Sequence, residues 1–323
     1  SKQTGLELGW IRGKNNLPVA LQPSAFDTKA PLRDRIGVSE ISTEMPFFRE
    51  AMRIGEKDRQ NIETLLAKGI DFAQPTILRI FDDLKALVDG AQVQAERMRM
   101  SLLATGGISI TATAENGRPI DYIYNYDAEG DWADDNNLVL TADAQWTLAN
   151  KATSNPIEDL LEAVTYMAET KGVAVVEVLM NTTTLKGLLA SESIVKAMNP
   201  LGATNMILNR NQLKAFVEDM TGLKITLYDK MFKDEQGVDR KYYPDGYVTL
   251  LPGYSLGNTY MGTTPEEFDL LTGQTNASVS IVDTGIAITT IKEPHPVNVQ
   301  TIVSEIVLPS FERMGDIYVM KVF

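Results

Sequence analysis

The chain has 323 residues, a formal net charge of −13 and no cysteine. This length suits one large domain or two moderate ones, and the missing cysteine excludes disulfides and thiolate metal sites. The acidic balance argues against a protein whose main task is to grip phosphates. No secretory signal is visible in the first twenty residues, and no apolar stretch approaches the ~18 residues that a membrane span needs.

The N-terminal part of the chain predicts extended structure. Residues 1–30 are rich in Gly, Asn and Pro and have little periodicity, which is typical of an arm. Residues 31–60 hold six acids and six bases, so this stretch is neutral within an acidic chain. Its β-compatible pieces at 36–38 and 46–48 have no amphipathic period that would fold them inward, which leaves a protruding β-hairpin open.

The neutral stretch is either ordinary solvated surface or a self-complementary contact surface between subunits. In the second case arginines would hold carboxylates through their fork-shaped guanidinium groups, and two phenylalanines would add apolar anchoring. The candidate interface residues are Arg33, Arg35, Glu40, Glu44, Phe47, Phe48, Arg49, Glu50 and Arg53.

The strongest local signal predicts a long helix over about 75–104. Apolar residues recur there at spacings of three and four, which makes one stripe over about seven turns. Pro75 is expected at the first turn, Gly90 weakens the helix by roughly 1 kcal/mol relative to Ala, and Gly106-Gly107 ends it. A helix lying across a sheet is favoured over a coiled coil, because β-patterning follows at once. The stripe is Ile77, Phe81, Leu84, Val88, Ala91, Ala95, Met98 and Leu102.

A β-hairpin is predicted over 108–126. Apolar and polar residues alternate over 108–114, Asn116-Gly117 suits a type I′ turn, and Ile120 with three tyrosines lines one face of the return strand. Further on, Asn155-Pro156-Ile157-Glu158 predicts a helix start with a capping box, and Gly172 predicts its end. Other elements are expected as helices near 182–190 and 211–220 and strands at 173–179, 224–228, 247–251, 301–308 and 317–322.

Catalytic and metal-binding patterns are weak. The one histidine, His295, lies between two prolines, so we expect a surface residue rather than a catalytic base. Residues 9–15 resemble a phosphate loop but are one residue short and end in Asn15. Asp127, Glu129 and Asp131 match three calcium-loop offsets, but Trp132 and Leu138 occupy the sixth and twelfth positions, so an acidic surface loop is expected. Adjacent pairs such as Glu266-Glu267 diverge on a helix and cannot flank one bond.

Taken in order, these pieces resemble the phage lambda-type (capsid protein E) family of major capsid proteins. The helix-to-hairpin junction at 94–110 reads QAERMRMSLLATGGISI. A late strand and turn follow at 243–252 (YPDGYVTLLP) and 256–262 (LGNTYMG), and the end fits at 304–309 (SEIVLP) and 316–319 (DIYV). The likeness spans nearly the whole chain, and the order of the pieces carries it rather than any one motif.

The resemblance implies the Hong Kong 97-like α+β capsid fold. It implies an N-terminal arm at 1–30, an extended loop (E-loop) at 31–69, a peripheral domain at 70–149 and 276–323 with the spine helix at about 75–104, and an axial domain at 150–275. It carries over no catalytic residue, metal or cofactor. No lysine is placed to suggest covalent cross-linking, so non-covalent contacts are expected.

The function that the resemblance implies is self-assembly into the icosahedral head of a tailed bacteriophage. Expected partners are copies of the chain in hexamers and pentamers, portal, scaffold and decoration proteins, and double-stranded DNA contacted without sequence preference; no membrane is involved. The expected location is the virion, after assembly in the host bacterial cytoplasm. Alternatives are an encapsulin-type compartment shell, a carboxylate-dependent hydrolase, and a tail or tube protein.

Overall fold

The computed structural model describes residues 2–3, 5–13, 38–67, 70–113, 119–198, 210–273, 278–283, 285–295 and 297–323. The chain divides into two compact units. Unit 1 comprises Ser1–Gly9, Ser42–Arg99 and Asn258–Ser310, and unit 2 comprises Trp10–Ile41, Met100–Gly257 and Phe311–Phe323. In the described part of the chain, no helix is both long and apolar enough to span a bilayer.

Helices and strands mix along the chain, as the α+β prediction requires. The helices are α1 (Glu56–Ala67), α2 (Ile70–Thr105), α3 (Asp131–Asn136), α4 (Pro156–Tyr166), α5 (Thr182–Leu189), α6 (Glu192–Met198), α7 (Arg210–Thr221) and α8 (Pro265–Thr272). The strands are β1 (Glu7–Gly13), β2 (Val38–Glu44), β3 (Phe47–Ile54), β4 (Gly107–Thr113), β5 (Pro119–Asn125), β6 (Asn137–Val139), β7 (Val175–Met180), β8 (Lys224–Leu227), β9 (Met231–Lys233), β10 (Asp239–Lys241), β11 (Tyr247–Pro252), β12 (Thr259–Met261), β13 (Ser278–Val282), β14 (Ile286–Pro294), β15 (Val297–Pro309) and β16 (Tyr318–Lys321).

Unit 1 is built on an antiparallel sheet in the order β12-β15-β14-β13, with β3 also paired to β15. One face packs against α2, where Leu87 and Ala91 meet Ile286, Ile288 and Val303. The opposite face meets α8, because Ser304, the neighbour of Val303 on β15, donates a hydrogen bond to Glu266 on α8 at 2.9 Å. Successive strand residues point to opposite faces, so the sheet of unit 1 has an α2 side and an α8 side.

The long helix is confirmed, and its packing on a sheet rules out the coiled-coil alternative. Ala91, Ala95, Met98 and Leu102 of the predicted stripe are buried, and α2 runs for 36 residues. The predicted start is wrong: α2 begins at Ile70, so Pro75 lies inside the helix, where it cannot donate a backbone hydrogen bond.

The end of α2 at Gly106 is confirmed. The backbone of Gly106 has φ +70, and its N–H donates to the Leu102 carbonyl at 2.9 Å. A Cβ at this position would lie 2.5 Å from the Trp132 ring, so both the backbone conformation and the close packing require glycine. The helix therefore stops where the first strand of the hairpin begins.

The predicted hairpin is present as β4 and β5, which pair in the register Ile108↔Tyr124 and Ile110↔Tyr122. Ile108 and Ile110 are buried, and the rings of Tyr122 and Tyr124 stack with centroids 6.4 Å apart. The predicted Asn116-Gly117 turn lies outside the described residues.

Unit 2 contains a five-stranded sheet in the order β6-β16-β11-β7-β8. The β7–β8 and β6–β16 pairs are parallel, while β11 pairs antiparallel with both β7 and β16. Apolar faces of α4, α5, α6 and α7 cover it, and Trp146, Leu160, Leu185 and Ile194 are fully buried in this core. The predicted helices and strands of this region occur within a few residues of their expected limits.

Two local predictions are corrected by the structure. Residues 56–67, expected to be part of an extended segment, form α1 instead. The capping box at α4 is also wrong: Asn155 precedes the helix and Pro156 opens it, but the Asn155 side chain caps no backbone N–H and donates to the Glu158 carboxylate. The predicted end at Gly172 holds, since this residue adopts φ 68 after a short π-helical turn.

Candidate assembly interface

Five of the candidate interface residues lie on β3, which is a strand of the unit 1 sheet rather than part of a protruding hairpin. β3 pairs with β15 from Phe47↔Ile306 to Ile54↔Val299. Alternation along β3 places Phe47, Arg49 and Arg53 on the α8 side and Phe48 and Glu50 on the α2 side. The candidate residues are therefore divided between two opposite faces of one strand.

On the α8 side, Arg49 already has partners within its own chain. Its guanidinium forms an ion pair with Glu266, and its Cζ lies 4.7 Å from the centre of the Phe47 ring. The other Glu266 oxygen accepts the hydrogen bond from Ser304. Arg49, Glu266 and Ser304 thus tie β3, α8 and β15 together.

Arg53 shares the α8 side with Arg49 but differs from it in its contacts. Its side chain is exposed, and no ion pair within the described residues involves it. Glu44, at the end of β2, is also exposed. Arg33 and Arg35 lie outside the described residues, as does the side chain of Glu40, so the structure does not place these three groups.

The α2 side of the sheet holds a buried carboxyl group. Glu305 on β15 is 1% exposed, and within the part of the chain that the structure describes neither of its side-chain oxygens has a hydrogen-bond partner. Burial raises the pKa of Glu305 from 4.5 to about 8, while the charge of Arg99 on α2 acts in the opposite direction. The Arg99 guanidinium instead donates a hydrogen bond to the Thr259 hydroxyl at 3.2 Å. Glu305 is therefore protonated in the folded subunit at neutral pH.

Sequence reasoning missed the acidic partners on α8 and the buried acid on β15. A signal for α8 was present, because Thr264-Pro265-Glu266-Glu267 has the form of a capped helix start. The Thr264 hydroxyl indeed accepts a hydrogen bond from the Glu267 backbone N–H at 3.3 Å. Glu266 and Glu267 bind different partners, Arg49 and Lys2, which agrees with the expectation that this pair does not act on one bond.

The other chemical patterns have structural roles. The Asp127 carboxylate accepts hydrogen bonds from the backbone N–H groups of Trp132 and Ala133 at 3.0 and 2.8 Å, which holds the start of α3. His295 is exposed in the turn between β14 and β15, as expected for a surface residue. Gly9 and Gly13 lie in β1, a strand and not a loop. Within the described ranges, no cluster of three or more His, Asp or Glu could hold a metal ion.

Comparison with solved structures identifies the fold. A protein described as a prophage capsid protein from E. coli CFT073 superimposes with a TM-score of 0.58 at 11% identity, over 88% of this chain and 80% of that one. The capsid of cyanophage A-1(L) superimposes with a TM-score of 0.50 at 12% identity, over 100% of this chain and 89% of that one. These likenesses support the predicted Hong Kong 97-like α+β fold.

Comparison of sequences identifies the family. No curated protein matches the chain at a significant level. The model of the family described as phage major capsid protein E matches residues 11–322. Because this match covers nearly the whole chain, the chain belongs to the phage major capsid protein E family.

Proposed function

We propose that copies of this chain close into the icosahedral head of a tailed bacteriophage and enclose its genome. The observation that carries this proposal is the family match over residues 11–322, which makes the chain a major capsid protein. The encapsulin alternative is not favoured, because the matching family is that of phage heads. The tail or tube alternative is not favoured for the same reason.

The role that we propose is structural and not enzymatic. A hydrolase built on carboxylates would need acids from separate segments that converge in a cleft with raised pKa values. Glu305 has a raised pKa, but it is 1% exposed and lies within the sheet of unit 1, where a substrate could not reach it. Its chemistry fits a buried structural acid.

Subunit contacts in the shell are proposed to include the β2–β3 region. Phe47 and Phe48 are half-buried, and Arg53 is exposed on a strand that pairs with β15 along its length. A rigid strand presents its charges in a fixed geometry, which favours specific contacts between copies. Each exposed ion pair contributes only about 0–1 kcal/mol, but a subunit held at many such sites gains by multivalency.

The remaining partners follow from the proposed role. The copies would be arranged as hexamers and pentamers, with portal, scaffold and decoration proteins as further partners. Packaged DNA would be contacted without reading its sequence, because a net charge of −13 does not suit a phosphate-gripping surface. Assembly would take place in the host bacterial cytoplasm, and the mature location would be the virion. The four-part division into arm, extended loop, peripheral domain and axial domain stays a prediction.

Sedimentation velocity on the purified chain, supplied with any scaffold it needs, tests assembly. We expect a discrete fast-sedimenting particle in equilibrium with subunits or small oligomers. The fraction of chains in the particle should fall with rising salt if contacts between exposed charges stabilise it. A single monomeric species under all assembly conditions would contradict the proposal.

A further inference from the structure

The strand β13 forms one end of the unit 1 sheet. It pairs with β14 from Ser278↔Thr290 to Val282↔Ile286. Among the residues that the structure describes, no strand pairs with its other edge. An edge of this kind presents backbone N–H and C=O groups that are ready to pair with another chain.

The sequence of β13 lacks the features that normally protect an edge strand. Its five residues, SVSIV, contain no charge and no proline. Edge strands of monomeric proteins usually carry lysine, proline or a bulge, which prevent edge-to-edge pairing. The first charged residue after the strand in sequence, Asp283, accepts a hydrogen bond from Gln92 at 2.7 Å.

Exposed apolar side chains accompany this edge on the α8 side. Ile281 on β13 is 36% exposed, and it shares the α8 side with its pairing partner Ala287 and with Ser304. On α8 itself, which packs against β13, Phe268 is 61% exposed and Leu270 is 41% exposed. Two different elements thus present apolar surface beside one unpaired edge.

We propose that β13 pairs antiparallel with β13 of a second copy, across a twofold axis that passes through Ser280. This inference rests on the proposed shell, because icosahedral symmetry contains twofold axes and an interface on such an axis is self-complementary. In this register Ser280 faces Ser280, Val279 faces Ile281, and Ser278 faces Val282. The two sheets then become one continuous sheet, with Phe268 and Leu270 of both copies on the same side of the seam.

The uncharged edge selects a second copy as the occupant. A strand that meets itself sets like residues together, and like charges placed directly opposite are destabilising. In a chain with a net charge of −13, an acidic surface would repel the same surface of a second copy. β13 has no charge to oppose itself, so it is suited to pair with itself.

A cysteine cross-link tests the pairing and its register. The chain contains no cysteine, so each introduced thiol is unique. In the proposed register the two copies of residue 280 would have Cα atoms about 4.5–5.5 Å apart, which suits a disulfide. Residue 278 would lie opposite residue 282, so its two copies would be about 14 Å apart. Under mild oxidation of assembled particles, Ser280→Cys should give a covalent dimer and Ser278→Cys should not.

The outcomes separate this inference from the proposed function. If Ser280→Cys particles form but contain no covalent dimer, the β13 pairing is wrong and the proposed shell is unaffected. The β13 edge is then free or covered by another segment. Equal cross-linking of both variants also overturns it, because only a defined register distinguishes the two positions. If no particle forms with either variant or with the parent, the proposed function itself fails.

A charge variant gives an independent readout of the same contact. Ser280→Lys places two ammonium groups opposite each other in the dimer, so we expect fewer particles with the subunit fold retained in circular dichroism. Ser109→Lys, at an exposed strand serine of β4, is the matched control and should assemble like the parent. Normal assembly of Ser280→Lys would contradict the pairing.

Discussion

Replacing Glu305 with glutamine should make the stability of the subunit less dependent on pH. In the folded chain, burial raises the pKa of this carboxyl from 4.5 to about 8. The folded state therefore holds the proton where the unfolded state has lost it. The stability of the parent falls as pH rises between these two values, and the loss is complete above the higher one.

The magnitude follows from the shift in pKa. Each pKa unit corresponds to about 1.4 kcal/mol, so the full penalty approaches about 5 kcal/mol at alkaline pH. The difference in unfolding free energy between Glu305→Gln and the parent should grow by about 2–3 kcal/mol between pH 5 and pH 7 and should level off above pH 8. Other carboxyl groups titrate in both proteins and cancel in the difference.

Urea denaturation of dissociated subunits at a series of pH values measures this difference. The linear extrapolation gives the unfolding free energy at each pH. Glu305→Leu serves as a second variant, because it also removes the titrating group while changing the polarity of the site. Both variants should give the same pH dependence relative to the parent, even if their absolute stabilities differ. Curves of parent and variants that run parallel from pH 5 to pH 9 would show that the pKa of Glu305 is the same in the folded and unfolded chain.

The remaining predictions concern packing, a buried hydrogen bond and charge. Gly90→Ala should stabilise α2 by up to about 1 kcal/mol in thermal unfolding, because among the described residues no atom lies closer than 4.0 Å to the added Cβ. Gly187→Ala, in α5, should destabilise despite the same propensity gain, since its Cβ would lie 2.1 Å from a backbone carbonyl oxygen. Thr249→Val should lower the unfolding free energy by about 1–3 kcal/mol in urea denaturation, because the Thr249 hydroxyl, on a fully buried residue, donates a hydrogen bond to the Leu103 carbonyl oxygen at 2.6 Å. Changing Arg49 and Arg53 together to Glu should lower the amount of assembled particle measured by light scattering. Arg53→Glu alone should also lower it, and this variant keeps the Arg49–Glu266 ion pair. If both variants assemble like the parent across a salt series, this face is ordinary solvated surface.

Elements with strong local periodicity were predictable from the sequence. The stripe that ends at Leu102 and the stop at Gly106 predicted the later turns of α2, because burial on one face imposes a repeat that the sequence must show. The start was not predictable in the same way. A proline at the first turn is common, but in this chain the helix begins five residues earlier, and the lost hydrogen bond at Pro75 is tolerated.

Contacts between distant segments could not be predicted from the sequence. Arg49 and Glu266 are separated by 217 residues, so no local sequence pattern predicts their ion pair. The burial of Glu305 depends on β3, β14 and α2 together, whereas the residues around it on β15 predict only a strand. The candidate arginines were identified by composition alone, and composition does not tell an arginine bound within its own chain from one that is exposed.

Negative-stain electron microscopy of the purified protein under assembly conditions shows whether this chain builds a closed shell. We expect closed polyhedral particles of uniform size, with pentamers and hexamers resolved in class averages. Open tubes or stacked rings, or a field of single subunits in the presence of any required scaffold, would contradict it.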